Sequence, residues 1–244
     1  MSSINVKHLN LIEAFLVSVS IFGLLLSIFI VFYTSTITDG FAYRNLVVGS
    51  AFGAVCVLGI YAALFPSSCF TIPKFHKSNK NDTWALNIHE TALRAHHPFC
   101  ENYATHILSV GSMKFCATCS GLLVGAILAL LGTGLYFFGS LSIGDPAILV
   151  LTGAVGVSLG LLQAALPKFS VGLTRFFASL LFVFGTFLML VSIDMSVKNT
   201  FIALFFVVLS ILWILTKISL SQRDHRSTCS NCSVKSCIRK KKRS

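Results

Sequence analysis

The chain has 244 residues, of which 55% are hydrophobic and only 11% are charged, and its mean hydropathy is +0.83. Soluble domains carry about 25% charged residues, so this composition indicates an integral membrane protein. It excludes a secreted disulfide miniprotein, a nucleotide-binding α/β enzyme and a free nucleic-acid binder.

Six runs of the chain contain no charged residue, and even the shortest has 18 residues. As a helix, 18 residues cover about 27 Å, which is close to the hydrocarbon thickness of a bilayer. We therefore predict an all-α, six-helix integral membrane bundle, in which the first run stays as a signal anchor. The runs are 14–38, 45–73, 115–144, 146–167, 176–193 and 199–216.

Small and aromatic residues are distributed differently among the predicted helices. Glycine pairs four residues apart permit close helix packing and predict that helices 2, 3 and 4 form the inner bundle. Helices 1, 5 and 6 are rich in Phe, which suits contact with lipid or a partner subunit. No run carries an ionisable residue at mid-depth, which counts against an ion-coupled transporter. The glycine pairs are Gly49 and Gly53, Gly121 and Gly125, and Gly156 and Gly160.

The basic residues predict the orientation of the bundle. With six helices, 17 of the 19 Lys and Arg lie on the side of the two termini, and only Arg44 and Lys198 lie on the other. The positive-inside rule then places both termini in the cytoplasm, and in a prokaryotic host the membrane is the cell membrane. The predicted organisation is helices 1–2 in 1–65, a cytoplasmic Cys/His loop in 66–121, helices 3–6 in 115–219, and a tail in 220–244.

The loop between helices 2 and 3 carries two chelating pairs. His97 and Cys100 form one, and Cys116 and Cys119 form the other, with 15 residues between the pairs. This spacing is typical of zinc ribbons, in which the intervening chain folds back as a hairpin. Strand-like segments at 105–110 and 113–115 with a Gly-Ser turn predict that hairpin. We predict zinc ligation by these four residues, with His96 and His106 in reserve.

The start of helix 3 adds a second reason for a metal or thiol site. Unsatisfied N–H groups and the positive end of a helix stabilise a thiolate, and we expect Gly121 to let these N–H groups turn towards the sulfurs. A structural zinc site is the favoured interpretation, because three Cys and one His close the coordination shell. A catalytic or transport metal site and a Cys116/Cys119 redox pair remain alternatives. The cytoplasmic side disfavours a disulfide.

The pattern His-His-Pro-x-Cys at 96–100, then His106, then Cys-Ala-x-Cys-x-Gly-Leu at 116–122 resembles uncharacterised small multipass membrane proteins of prokaryotes, particularly archaea. It is more loosely similar to a bacterial membrane family of unknown function with a Cys-Ala-Arg-Cys-x-Gly stretch, whose Arg is Thr118 here. The resemblance covers about 30 residues, 96–125. It implies a common metal-binding or thiol unit at the four predicted ligands and supplies no known activity.

The tail has a weaker metal pattern and a strong charge. His225, Cys229, Cys232 and Cys237 could form a second metal site, although a disordered tail with spare thiols explains them equally well. Residues 220–244 contain eight Lys or Arg against one Asp, a net charge of +7. Beside a membrane this predicts binding to anionic lipids. No aromatic platform accompanies the charge, so nucleic acid is not an expected partner.

The predicted function is a scaffold or accessory component of a membrane assembly, with a structural zinc site in its loop and partner subunits in the membrane. Two alternatives stay open. One is a membrane-embedded enzyme that uses the metal or the thiol pair, and the other is a metal carrier or sensor.

Overall fold

The computed structural model describes residues 11–34, 39–64, 107–110, 113–139, 144–166 and 171–230. These residues form six long helices and one β-hairpin. The third helix continues as a π-helical turn at Gly134–Phe138. In chain order the elements are α1 (Leu11–Tyr33), α2 (Arg44–Leu64), β1 (Ile107–Val110), β2 (Met113–Cys116), α3 (Ala117–Thr133), α4 (Pro146–Ala165), α5 (Gly172–Val197) and α6 (Thr200–Ser230).

All six helices are long and apolar enough to cross a membrane, with mean hydropathies between 2.0 and 2.8 in their most apolar stretches. When α3 is counted together with its π-helical turn, the shortest span is α4, whose 20 residues cover about 30 Å. The predicted all-α, six-helix integral membrane bundle is confirmed. The chain is a multipass membrane protein in contact with the lipid bilayer.

The helices alternate in direction, so the bundle has two distinct ends. Glu13 near the start of α1 pairs with Arg223 near the end of α6, and Arg44 at the start of α2 pairs with Asp194 near the end of α5. We call the end where α1, α3 and α5 begin and α2, α4 and α6 end the tail end. The other is called the opposite end.

Helix α5 is the centre of the bundle, contrary to the prediction that helices 2, 3 and 4 form its core. In its most apolar stretch 56% of α5 is buried, against 28% of α2 and 22% of α1. The glycines of α3 and α4 do permit close packing, but they pack against α5. A Cβ on Gly125 would lie 2.9 Å from the Leu180 carbonyl oxygen, and one on Gly156 would lie 2.6 Å from that of Leu181.

The Phe-rich helices also differ from the prediction. Helix α1 exposes its Phe side chains as expected, for example Phe22 at 65%. Phe182 and Phe187 of α5 and Phe206 of α6 are instead almost fully buried. Their aromatic rings are part of the apolar core, where close packing contributes dispersion contacts. The prediction of lipid-facing aromatics is therefore wrong for these three residues.

Local sequence signals explain how the helices at the opposite end begin. Asp145 precedes Pro146 and accepts a hydrogen bond from the Ala147 N–H at 2.7 Å, which caps α4. Asn199 caps α6 in the same way, because its Oδ1 accepts from the Phe201 N–H at 3.0 Å. Only residues 198 and 199 separate α5 from α6, and Lys198 has a left-handed φ of 51°. This tight turn fixes the two helices side by side.

A two-stranded antiparallel hairpin precedes α3. Strands β1 and β2 pair with Ile107 opposite Cys116 and Val110 opposite Met113. The strand pairing predicted between the two chelating pairs is thus confirmed, with the second strand extending one residue further, through Cys116. The hairpin leads directly into α3, so it fixes Cys116 at the helix entrance.

Candidate metal and thiol site

Cys116 and Cys119 lie at the junction of β2 and α3, at the tail end of the bundle. Cys116 is the residue before the helix and has an extended backbone, with φ −72° and ψ 117°. Cys119 follows in the first turn of α3, and residues three apart lie on the same side of a helix. Both are free thiols that are only partly buried. The junction therefore presents two neighbouring sulfur atoms at an accessible helix start.

The two thiols interact with each other. A hydrogen bond from the Cys119 thiol is the largest influence on Cys116, and it lowers the pKa of Cys116 to about 6. Burial opposes this shift, whereas the N–H groups of Cys119 and Thr118 and the charge of Arg175 add to it. The thiolate of Cys116 is therefore favoured near neutral pH, and a thiolate is the form that binds metals and attacks electrophiles.

Gly121 provides the close helix packing predicted for the pair Gly121 and Gly125, and the helix it contacts is α5. A Cβ at this position would overlap the carbonyl oxygen of Phe176 and lie 3.0 Å from the Ser179 Cβ. The glycine therefore lets the first turn of α3 approach the backbone of α5. This approach brings the thiol pair close to Arg175, which is 4% exposed and lies one residue before Phe176.

Charged residues on α5 and α6 surround this junction. The Arg175 Nη1 lies 3.2 Å from the Asp224 Oδ2 in a mostly buried ion pair. Lys217 is 4% exposed, donates a hydrogen bond to the Gly160 carbonyl at 2.9 Å, and lies 4.9 Å from the centre of the Phe182 ring. These side chains belong to α5 and α6, and the Gly160 carbonyl belongs to the backbone of α4, so the contacts join three helices at the tail end.

These charged side chains line a cavity of about 10 Å³, together with Thr118 of the first turn of α3. Its size is close to the minimum that holds one water molecule. Gln163 of α4 lies on its wall. The lining residues are Thr118, Gln163, Ala164, Arg175, Lys217, Ser221 and Asp224.

The opposite end carries a second polar network that does not include a thiol. The Asp194 Oδ2 accepts a hydrogen bond from the Tyr136 hydroxyl at 3.0 Å and lies 3.5 Å from the Arg44 Nη2. Asp39 accepts a hydrogen bond from the Thr200 N–H at 2.6 Å. Hydrogen bonds from Thr200 lower the pKa of the Asp39 carboxyl. The network ties α2, α3, α5 and α6 together.

The structure places two of the predicted zinc ligands, Cys116 and Cys119, next to each other. His97 and Cys100, and the reserves His96 and His106, lie outside the described residues, as do Cys232 and Cys237 of the tail. His225 and Cys229 lie on the last turns of α6, where only the backbone is described. Within the described ranges, no three His, Cys, Asp or Glu side chains form a group that could hold a metal ion.

Three polar residues of the tail end were not singled out from the sequence. Arg175 and Lys217 were counted only as charges that mark helix ends, and Asp224 only as the one acid of the tail. A signal was present, because Lys217, Ser221 and Asp224 are four and three residues apart and share one face of a helix. Because α6 extends beyond its uncharged run, such a polar stripe predicts a polar site that faces the other helices.

Comparison with known proteins finds no matching family model, no matching curated protein and no matching solved structure. The resemblance to prokaryotic small multipass membrane proteins therefore stays a prediction that rests on the residues between 96 and 125.

Proposed function

We propose that this multipass membrane protein binds one zinc ion in the loop between α2 and α3, and that it acts as a scaffold or accessory component of a membrane assembly. Cys116 and Cys119 would supply two thiolates, and Cys100 and His97 the third and fourth ligands. The observation that carries the proposal is the contact between the Cys116 and Cys119 thiols at the start of α3. Two adjacent thiols form one edge of a tetrahedral zinc site.

The hairpin register supports the second pair of ligands. Ile107 lies opposite Cys116, so the chain that precedes β1 starts next to the thiol junction. Cys100 is seven residues before Ile107 and His97 is ten, which correspond to fully extended spans of about 25 Å and about 35 Å. The connecting chain is therefore long enough for both side chains to return to Cys116.

The charge of Arg175 also supports a thiolate centre. Three thiolates and one neutral imidazole around Zn²⁺ leave a net charge of −1, and a partly buried charge needs a partner. Arg175 is buried at the junction, and its positive charge favours the thiolate form of Cys116. A closed shell of this kind would fix the loop to the entrance of α3, which is a structural rather than a catalytic role.

The test is the zinc content of purified full-length protein and of its cysteine variants. We expect about one zinc per chain in the unaltered protein and near zero in Cys116→Ser, Cys119→Ser and Cys100→Ser. Cys56→Ser is the matched control, because Cys56 is a free cysteine buried in α2, and it should keep its zinc. Full zinc retention in Cys116→Ser would show that the ligands are wrong.

A second candidate function is a membrane-embedded enzyme or metal carrier that uses the same pair. The partial exposure of both thiols favours it, because a reactive site must be reachable. Treatment with a mild oxidant and a measurement of zinc exchange separate these functions. A redox enzyme should form a Cys116–Cys119 disulfide reversibly and without loss of fold, and a carrier should exchange its zinc within minutes. A structural site should resist oxidation and keep its zinc.

The orientation is proposed from the distribution of Lys and Arg. Both termini would be cytoplasmic, and an impermeant thiol reagent should then miss a chain in intact cells whose only cysteine is Cys237. The same reagent should reach a cysteine-free chain that carries Phe41→Cys, because Phe41 is 49% exposed at the opposite end. The reverse labelling pattern would overturn the orientation.

The basic tail is proposed to bind anionic lipids. Each basic residue near such a surface contributes about 1 kcal/mol, and the attraction is screened by salt. A full-length chain should therefore bind phosphatidylglycerol vesicles more tightly than a chain that ends at Ser230, and the difference should disappear at high salt. An equal affinity of the two chains at low salt would contradict this role.

A further inference from the structure

The cavity at the tail end contains a buried cation, Lys217, that has no carboxylate partner among the described residues. Lys217 is 4% exposed, and its described contacts are the Gly160 carbonyl and the Phe182 ring. It forms no ion pair with any residue in the part of the chain that the structure describes. A buried charge is costly unless an opposite charge compensates it. The site therefore has a reason to attract an anion.

The rest of the lining fits an anion. Arg175, also 4% exposed, faces the same cavity together with its partner Asp224, so the cavity carries two cations and one carboxylate. Thr118 and Ser221 add hydroxyl groups, and Thr118 lies in the first turn of α3, where unsatisfied N–H groups favour negative charge.

The position and size of the cavity limit what the anion can be. Its inner wall is the buried Lys217, and its outer wall includes the exposed Ser221, one helical turn further along α6. A volume of about 10 Å³ accepts one water-sized atom. An oxygen of a phosphate group has that size, and the rest of the group would lie at the outer wall, near the membrane boundary.

We propose that this cavity binds one oxygen of a phosphate group, with Lys217 as its cationic partner and Arg175 beside it. The phosphate could belong to the headgroup of an anionic lipid or to a free phosphate ion, because both present the same oxygens. Basic pockets between membrane helices bind lipid headgroups in this way. The site is independent of zinc, since its donors are not the proposed metal ligands.

Two binding measurements on delipidated full-length protein test the proposal and separate the two sources. The first follows the thermal midpoint against inorganic phosphate, with chloride at equal ionic strength as the reference. The second counts bound phosphatidylglycerol by native mass spectrometry, with phosphatidylcholine as the reference lipid. Specific binding in either measurement supports the site and identifies which source fills it. Binding in neither measurement overturns it.

Variants locate the site. Lys217→Met should weaken the observed binding about tenfold or more, the loss expected for a hydrogen bond to a charged group. Arg223→Gln removes the same charge from the same helix but lies outside the cavity, in the ion pair with Glu13, and it should leave binding unchanged. The basic residues beyond Ser230 are identical in both variants. Equal losses in the two variants would overturn the proposal.

A third variant keeps the test decisive if Lys217→Met does not fold. Ser221→Phe places a large side chain at the exposed outer wall without removing a buried group. It should abolish specific binding while the protein keeps its thermal midpoint in the absence of phosphate. Unchanged binding in Ser221→Phe would show that the anion does not enter this cavity.

Discussion

The two ends of the bundle use charged side chains in different ways. At the opposite end Asp194 is 2% exposed and is held by Arg44 and Tyr136, so the polar groups close the bundle. At the tail end two buried cations face a cavity beside two free thiols. The first arrangement pairs the Asp194 Oδ2 internally, although its Oδ1 accepts no hydrogen bond from the described residues. The second leaves room for a ligand. Stability should therefore depend mainly on the opposite end, and binding on the tail end.

The largest loss of stability is expected from Asp194→Asn. The substitution leaves Arg44 without its charge partner and should reduce the free energy of unfolding by about 3 kcal/mol. Unfolding by added SDS, at a fixed concentration of the mild detergent that holds the protein, measures this free energy. The zinc content should not change. Asp145→Asn is the control at the same end, because Asn also caps a helix well. Equal losses of stability in Asp194→Asn and Asp145→Asn would contradict the stabilising role of the Arg44–Asp194 pair.

Packing between the two ends should give the next largest effect. In Gly156→Ala the new Cβ would lie 2.6 Å from the Leu181 carbonyl of α5. We expect a loss of about 2 kcal/mol from this overpacking, in the same titration. Gly59→Ala is the matched control on α2, since no described atom lies within 4 Å of its added Cβ. Equal stability of the two variants would contradict the central position of α5.

A charge variant at the tail end should affect stability less and binding more. Asp224→Asn removes the carboxylate that pairs with Arg175 at 3.2 Å and should cost about 1.5 kcal/mol. It also removes the only acid among the described residues that line the cavity, so binding of inorganic phosphate should become several-fold tighter. Isothermal titration with phosphate measures this change. Weaker phosphate binding in Asp224→Asn would show that the cavity is not an anion site.

The fold was predictable from the sequence to a larger extent than the packing. Hydropathy predicted six spans, and Gly111 and Ser112 predicted the position of the hairpin, because both depend on local sequence. The central position of α5 depends on which helix each glycine faces. The sequence around Gly156 does not indicate which helix this glycine packs against. The last uncharged run ends at residue 216, yet α6 continues to Ser230 and the ammonium group of Lys217 is buried.

The site was predictable only in part, for a similar reason. The spacing of Cys116 and Cys119 by itself predicts two thiols on one side of a helix start. Arg175 reaches that start from a helix more than fifty residues further along the chain, through the contact of Gly121 with the α5 backbone. Such long-range contacts follow from packing and have no local sequence pattern.

The smallest predicted effect concerns Asp39 at the opposite end. Its pKa is lowered by hydrogen bonds from Thr200, so its contribution to stability is fully present above the ordinary carboxyl pKa of 3.8. That contribution is lost as the pH falls through the lower pKa of the folded state. Asp39→Asn should therefore melt below the unaltered protein at pH 6 and approach it at pH 2. A pH-independent difference would contradict the role of the ionised carboxylate.

The central claim is that the tail end holds a metal–thiolate centre built on Cys116 and Cys119. X-ray absorption at the zinc edge of the purified full-length protein tests it most directly. We expect three sulfur ligands at about 2.3 Å and one nitrogen ligand at about 2.0–2.1 Å, with no exchangeable oxygen. A zinc-free protein, or a zinc ion surrounded mainly by oxygen and nitrogen, would contradict it.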